Sequence, residues 1–145
     1  MYIEDFRRLL REIGYPDYRT VAIKKTAIDN RGIEASVGMV DFYSMTIRAF
    51  KLEGLEDICE DYGQVAEYLG TIPNYPHAFE LDDHHRFIAG KPALVCGNTA
   101  SMLQETRFAK HFKVTGDRSV HFGPFDCAPA DTRGEGKGTG GGTCC

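Results

Sequence analysis

The end of the chain carries two adjacent cysteines, Cys144 and Cys145, behind a glycine-rich stretch. Six of the last twelve residues are glycine, and such a composition predicts a flexible, disordered tail that buries no core. Adjacent cysteines rarely reach the relaxed geometry of a disulfide. They are better suited to capturing a soft, thiophilic atom such as zinc, copper(I) or trivalent arsenic. The competing interpretation is a low-complexity end whose cysteines have no function, because exposed tails tolerate most changes.

Three further cysteines lie inside the chain, at positions 59, 96 and 127. Cys59 lies among four carboxylates, which disfavour the thiolate, so a structural or exposed position is expected for it. Cys96 precedes a predicted helix whose dipole would lower the thiol pKa, although a buried, inert cysteine is the commoner case. The sequence leaves open whether Cys96 or Cys127 takes part in any chemistry.

The segment from Asp82 to His85 combines two carboxylates with two imidazoles, which are ligands for zinc or non-haem iron. Neighbouring residues of an extended strand point to opposite faces, so this spacing is poor for chelation. Completing a site would need His77, His111 or His121. A hydrogen-bonded turn is therefore the favoured interpretation.

The hydrophobic pattern predicts a few helices and mostly short strands. A first helix, apolar on one face, begins near Ile3 without a capping residue and is closed by Gly14, so its apolar face must dock on something. Residues 39–50 fit either a strand or a helix, and we favour a strand through Thr46. Another helix is expected from Asn98 or Thr99 to about Phe108. Further strands are expected at residues 18–28, 64–72, 78–81, 87–88, 93–96 and 112–115. The predicted class is α+β with mostly antiparallel strands.

Composition excludes several classes of function. With 145 residues, a net charge of −4 and no basic cluster, the chain does not resemble a nucleic-acid-binding protein. No apolar run approaches the roughly 18–20 residues of a membrane span. An odd number of cysteines, five, without a secretory signal predicts reduced thiols in a cytoplasmic protein.

Six successive motifs give the chain a specific family resemblance. In order, they are Cys59-Glu-Asp-Tyr-Gly-Gln64, Tyr68-Leu-Gly-Thr-Ile-Pro73, Pro76-His-Ala-Phe79, Leu81-Asp-Asp-His-His85, Val95-Cys-Gly-Asn-Thr-Ala100 and Gly116-Asp-Arg-Ser119. Together with the helix of Met1 to Arg11 and Phe50-Lys-Leu52, they resemble the C-terminal portion of arsenite methyltransferases. The glycine-rich tail ending in a cysteine pair is also similar to some members of that family.

This resemblance implies methyl transfer from S-adenosylmethionine to As(III), held as a thiol conjugate, in arsenic detoxification. It divides the chain into residues 1–52, the end of the methyltransferase and arsenic-binding region, residues 53–127, a C-terminal α+β domain, and the tail of residues 128–145. Such enzymes need a glycine-rich cofactor loop between a strand and a helix. The sequence offers no such loop, so no cofactor is expected in this chain, and an N-terminal methyltransferase domain would have to supply it.

Two functions therefore follow from the sequence. In the first, the chain is a C-terminal fragment of an arsenite methyltransferase and is catalytically inactive alone. In the second, it is a free-standing thiol-based module that binds As(III) or another soft metal. In both, Cys144 and Cys145 are the candidate As(III)-capturing residues, and no catalytic residue is assigned.

Overall fold

The first part of the protein is a helix followed by a β-hairpin that is interrupted by a second helix. In the computed structural model, which describes residues 1–127, these elements are α1 (Ile3–Glu12), β1 (Asp17–Thr26), α2 (Arg31–Val37) and β2 (Phe42–Phe50). The predicted first helix is confirmed. As expected, no side chain caps its N-terminus, and Gly14 follows it with a φ of 85°.

The apolar face of α1 is only partly covered by the rest of the described chain. The Phe6 ring packs edge-on against Tyr18 of β1, with ring centroids 5.7 Å apart. Leu9 and Ile13 are nevertheless 47% and 60% exposed. The helix thus docks on the hairpin through Phe6 while much of its apolar surface stays accessible.

The hairpin pairs β1 with β2 in antiparallel register, from Asp17 opposite Phe50 to Thr26 opposite Phe42. The prediction that the second strand ends at Thr46 was too short, because ladder pairing continues to Phe50. Only the Asp17 end of the hairpin is buried, and the Thr26 end is exposed.

The second part contains short strands around one longer helix. Its elements are β3 (Glu60–Asp61), β4 (Val65–Tyr68), β5 (Ala78–Glu80), β6 (Arg86–Ile88), β7 (Pro92–Leu94), α3 (Gly97–Gln104), a 3₁₀ helix (Ala109–His111), β8 (Phe112–Thr115) and β9 (Gly123–Pro124). β4 lies between β7 and β8 in a three-stranded sheet, while β3 pairs with β9 and β5 with β6. Every named pair is antiparallel, so the predicted α+β class is confirmed.

Two of the boundaries that differ from the sequence prediction have clear local reasons. The strand expected at residues 64–72 ends at Tyr68, because Gly70 turns the chain with a φ of 69° and approaches the Pro76 carbonyl. A Cβ atom at Gly70 would lie 2.8 Å from that oxygen. The helix expected to reach Phe108 ends at Gln104, and the Thr106 hydroxyl donates to the Met102 carbonyl at 2.6 Å.

The main core lies between the three-stranded sheet, α3 and the β5–β6 hairpin. Its centre is a group of aromatic side chains in mutual contact: Tyr68, Phe79, Phe87, Phe108 and Phe112. The fully buried Tyr68 hydroxyl donates to the Tyr75 carbonyl at 2.7 Å, which satisfies its polar atom. Within the described chain, no helix has the length and apolar character needed to span a membrane. The predicted flexible tail, residues 128–145, lies outside the described residues.

Candidate functional site

Three cysteines that are far apart in sequence meet inside the second part of the protein. The Sγ atoms of Cys59, Cys96 and Cys127 all lie within 4.8 Å of one another. Their side chains are 6%, 0% and 7% exposed, and Phe125 packs against them. We call these three residues the thiol cluster.

Cys96 is placed by the turn that leads from β7 into α3. It is the N-cap residue of α3, and its Sγ accepts the Thr99 backbone N–H at 3.4 Å. The Thr99 hydroxyl lies 3.2 Å from the same sulfur. The sequence prediction that Cys96 directly precedes a helix is therefore confirmed, and so is its complete burial.

Cys59 and Cys127 are brought together by pairing at the ends of the second part. β3 and β9 form a two-stranded ladder, and the Phe125 N–H donates to the Cys59 carbonyl at 2.8 Å. Cys59 stands immediately before β3, and Cys127 follows β9 by a few residues. The sequence analysis expected Cys59 to be either structural or exposed. In the structure it is buried, which agrees with the structural alternative.

The cysteines differ in oxidation state. Cys96 and Cys127 carry thiols, whereas Cys59 is disulfide-bonded. The expectation that the cysteines are reduced thus holds for Cys96 and Cys127 and is wrong for Cys59.

The environment of Cys96 strongly favours its thiolate. A hydrogen bond from Cys127 is the largest cause, and with the Thr99 donors and the Arg19 charge it outweighs burial and lowers the pKa of Cys96 to about 5. The position of Cys96 before a helix had already indicated a lowered thiol pKa. The Cys127 thiol, whose proximity no sequence pattern predicts, is the largest cause of that lowering.

A buried arginine adjoins the cluster. Arg19 of β1 is 3% exposed and donates to the Thr99 hydroxyl at 3.4 Å. It forms ion pairs with Asp17 at 3.4 Å and Asp82 at 3.6 Å. These carboxylates and the Cys96 sulfur raise the Arg19 pKa despite its burial. The guanidinium therefore remains charged beside the cluster.

The Asp82 to His85 segment is a hydrogen-bonded turn, as favoured from the sequence. Asp82 Oδ1 accepts the backbone N–H groups of His84 and His85 and lies 2.8 Å from His85 Nδ1. Burial opposes the charge of Asp82, but His85 and Arg19 keep its pKa below the usual range. Among the described residues, the group that could hold a metal ion is instead the thiol cluster.

The described segment nearest in form to a cofactor loop is the turn from β7 into α3. A Cβ atom at Gly97 would lie 2.9 Å from the Tyr62 ring, and Asn98 and Thr99 are fully buried. The Tyr62 ring therefore occupies the space beside Gly97.

Sequence reasoning placed the candidate site at Cys144 and Cys145, which lie outside the described residues. It did not predict the thiol cluster, because its members are 37 and 31 positions apart and follow no metal-binding spacing. The available signal was limited to Cys96, which directly precedes a predicted helix.

Comparisons with known proteins agree on one family. The sequence model of the family described as "Arsenite methyltransferase C-terminal domain" matches residues 62–145. An arsenite methyltransferase of Aquipseudomonas alcaligenes is 49% identical over 126 residues, which cover 87% of this chain and 36% of that protein. The mouse arsenite methyltransferase is 28% identical over 117 residues, covering 79% of this chain and 30% of that protein.

A solved structure gives the same result. The crystal structure of an arsenic(III) S-adenosylmethionine methyltransferase from Chlamydomonas reinhardtii superposes with a TM-score of 0.82 at 52% identity, covering 86% of this chain and 42% of that chain. This chain thus spans about a third of the length of the curated relatives named above. The family match, the identity and the shared fold establish that the chain belongs to the arsenite methyltransferase family and corresponds to its C-terminal portion.

Proposed function

We propose that the chain is the C-terminal part of an enzyme that transfers a methyl group from S-adenosylmethionine to As(III) in the cytoplasm, as an arsenic detoxification step. The observation that carries this proposal is a buried group of three sulfurs in a member of the arsenite methyltransferase family. Trivalent arsenic is a soft atom, and sulfur is its natural ligand.

In this role the chain binds arsenite, and another part of the enzyme supplies the methyl donor. The methyl donor provides an electrophilic methyl group when bound. The residues that carry out methyl transfer belong to that other part of the enzyme. The proposed division is that residues 1–52 complete the methyltransferase region and residues 53–127 form the C-terminal domain. Alone, the chain is catalytically inactive.

A chimera tests this function. The matching C-terminal region of the Aquipseudomonas relative is replaced by this chain, and methylated arsenicals are measured by chromatography with elemental detection. We expect the chimera to methylate arsenite and this chain alone to form no product. A folded chimera that binds S-adenosylmethionine but forms no methylarsenical would contradict the proposal, and turnover by the chain alone would overturn its inactivity.

The second candidate function is a free-standing module that sequesters As(III) or another soft metal through Cys144 and Cys145. The observation that favours it is the cysteine pair at the end of a glycine-rich stretch. Under this function, changing Cys144→Ser and Cys145→Ser abolishes arsenite uptake in a mass-spectrometric titration. Uptake that survives this double change argues against the module in that form.

A further inference from the structure

We propose that a cleft beside the end of α3 binds a small aliphatic polyamine, through a buried amide oxygen and a rim of carboxylates. The residues that line this cleft do not include the thiol cluster. The proposal therefore stands or falls independently of the proposed function.

The cleft lies where four segments of the second part come together. Its walls are the loop after β2, the residue before β4, the last turn of α3 and the loop after β8. Its volume is about 400 Å³, which lies within the range of roughly 300–1,000 Å³ of small-molecule sites. Two family motifs, Cys59–Gln64 and Gly116–Ser119, meet here, since the Gln64 Nε2 donates to the Gly116 carbonyl at 3.5 Å. Folding thus brings together two motifs in a cleft that the proposed function does not use.

A buried side chain in the wall of the cleft has an unused acceptor. Gln64 lines the cleft and is only 2% exposed. Its Oε1 accepts no hydrogen bond from any described residue. A buried acceptor without a donor costs free energy, and such groups are rare in folded proteins. An N–H group of a ligand in the cleft would supply the missing donor.

The one arginine among the lining residues is already engaged with the protein. Arg118 donates to the Gly54 carbonyl and to the Ser101 hydroxyl, both at 3.2 Å. Its guanidinium also lies 3.8 Å from the Glu56 carboxylate and 5.5 Å from the centre of the Tyr62 ring. A carboxylate of the chain therefore balances its charge. Arg118 braces the walls of the cleft and leaves little charge to attract an anion.

The rim of the cleft is acidic. Glu53, Glu105 and Asp117 line it and are exposed. Hydrogen bonds from the Ser119 side chain and backbone lower the pKa of Asp117, so this carboxylate stays charged. Within residues 1–127, none of the three forms an ion pair. The cleft therefore favours a positively charged ligand.

The arrangement of the acceptors favours an organic cation over a metal ion. In the described part of the chain, only the thiol cluster brings three possible ligand atoms within reach of one ion. The carboxylates of the cleft lie on separate segments, and the buried Gln64 oxygen needs an N–H donor. A linear polyamine carries several ammonium groups at intervals, and each of them is both a cation and a donor. Its chemistry matches that of the cleft.

The test is a titration of the full chain with spermidine at low ionic strength, followed through its amide signals by two-dimensional nuclear magnetic resonance. We expect saturable shifts concentrated on Gly54, Gly116 and the side-chain amide of Gln64. Magnesium chloride is the comparison for a simple counterion. Shifts spread over acidic residues elsewhere in the chain, or the same shifts with magnesium, would overturn the proposal.

Two variants examine the acceptors separately. Gln64→Met removes the buried oxygen and keeps a side chain of similar size, so spermidine affinity should fall about tenfold, as for a lost hydrogen bond to a charged group. Asp117→Asn removes one rim charge and keeps an acceptor for Ser119. Its affinity should fall about two- to fivefold, the range of an exposed ion pair.

The matched charge control is Asp57→Asn, which neutralises an exposed carboxylate outside the cleft and should leave the affinity unchanged. Equal affinities of the Asp117→Asn and Asp57→Asn variants would contradict the site, even if Gln64→Met failed to fold. A folded Gln64→Met variant that binds spermidine as tightly as the unaltered chain would contradict it as well.

Discussion

At the scale of single residues, Cys96 is controlled by its neighbours more than by its position on a helix. The Cys127 thiol, the two Thr99 donors and the Arg19 charge all stabilise its anion, against the cost of burial. A fully buried cysteine in apolar surroundings would behave in the opposite way, since desolvation disfavours the thiolate. The cluster therefore favours the anionic form of a small core residue.

The first residue-scale prediction is a low-pH titration of this thiol. The pKa of Cys96 is lowered to about 5 in the folded protein, well below the usual range of a cysteine thiol. Its contribution to stability is therefore complete above the unfolded-state pKa and is lost as the pH falls through about 5. Thiolate absorbance, measured without reductant in the unaltered chain, should show a first rise with a midpoint near pH 5.

Two variants check that assignment. Cys127→Ala removes the largest stabilising hydrogen bond, so the midpoint should move to higher pH. Cys96→Ala should remove the low-pH transition entirely. A midpoint in the unaltered cluster near the usual cysteine pKa of about 8.5 would contradict the prediction.

At the scale of elements, the start of α3 also anchors the loop that leads to Cys59. The fully buried Asn98 side chain accepts the Glu56 backbone N–H and donates to the Glu56 carbonyl, both at 2.8 Å. One side chain thereby satisfies both backbone polar groups of a single loop residue. It holds the loop from Leu52 to Cys59 against the same helix turn that carries Cys96.

Asn98→Ala should consequently destabilise the protein by about 2–3 kcal/mol, because it leaves two backbone groups of a half-buried loop without their partner. Urea unfolding followed by circular dichroism measures the change. Gln104→Ala, at the exposed end of α3, is the matched control and should stay within about 0.5 kcal/mol. A cost for Asn98→Ala no larger than that of the control would show that the loop does not depend on this side chain.

Local pattern was sufficient to predict most elements but not the site. Signals that act within a few positions predicted the first helix and strand and the third helix. Apolar periodicity predicts α1 and β1, Gly14 ends α1, and the residues before α3 mark its start. The ends of β4 and α3 depend on Gly70 meeting Pro76 and on the Thr106 hydroxyl, which are contacts of the folded chain. The thiol cluster depends on the β3–β9 ladder between distant segments, and a two-residue strand leaves no pattern in the sequence.

At the scale of the whole molecule, burial is unevenly distributed. The centre of the second part contains fully buried residues such as Ala66, Tyr68 and Leu103. The hairpin is attached to it near Asp17, where the Thr20 carbonyl accepts the Asp83 N–H at 2.9 Å. Farther along, β1 exposes every side chain from Ala22 to Thr26. The free energy of local opening should therefore fall along the hairpin, since few apolar contacts oppose it.

Hydrogen exchange tests this gradient. Amides at the far end of the hairpin, such as Lys24 and Ser44, which lie opposite each other, should exchange at least about a hundredfold faster than those of Ala66 and Tyr68 in β4. The comparison is between residues of paired strands in both cases. Arg19, at the buried end of the same hairpin, is the internal control and should exchange slowly. Equal protection of Ser44 and Ala66 would show that the exposed end opens only with the core, and the proposed gradient would then be wrong.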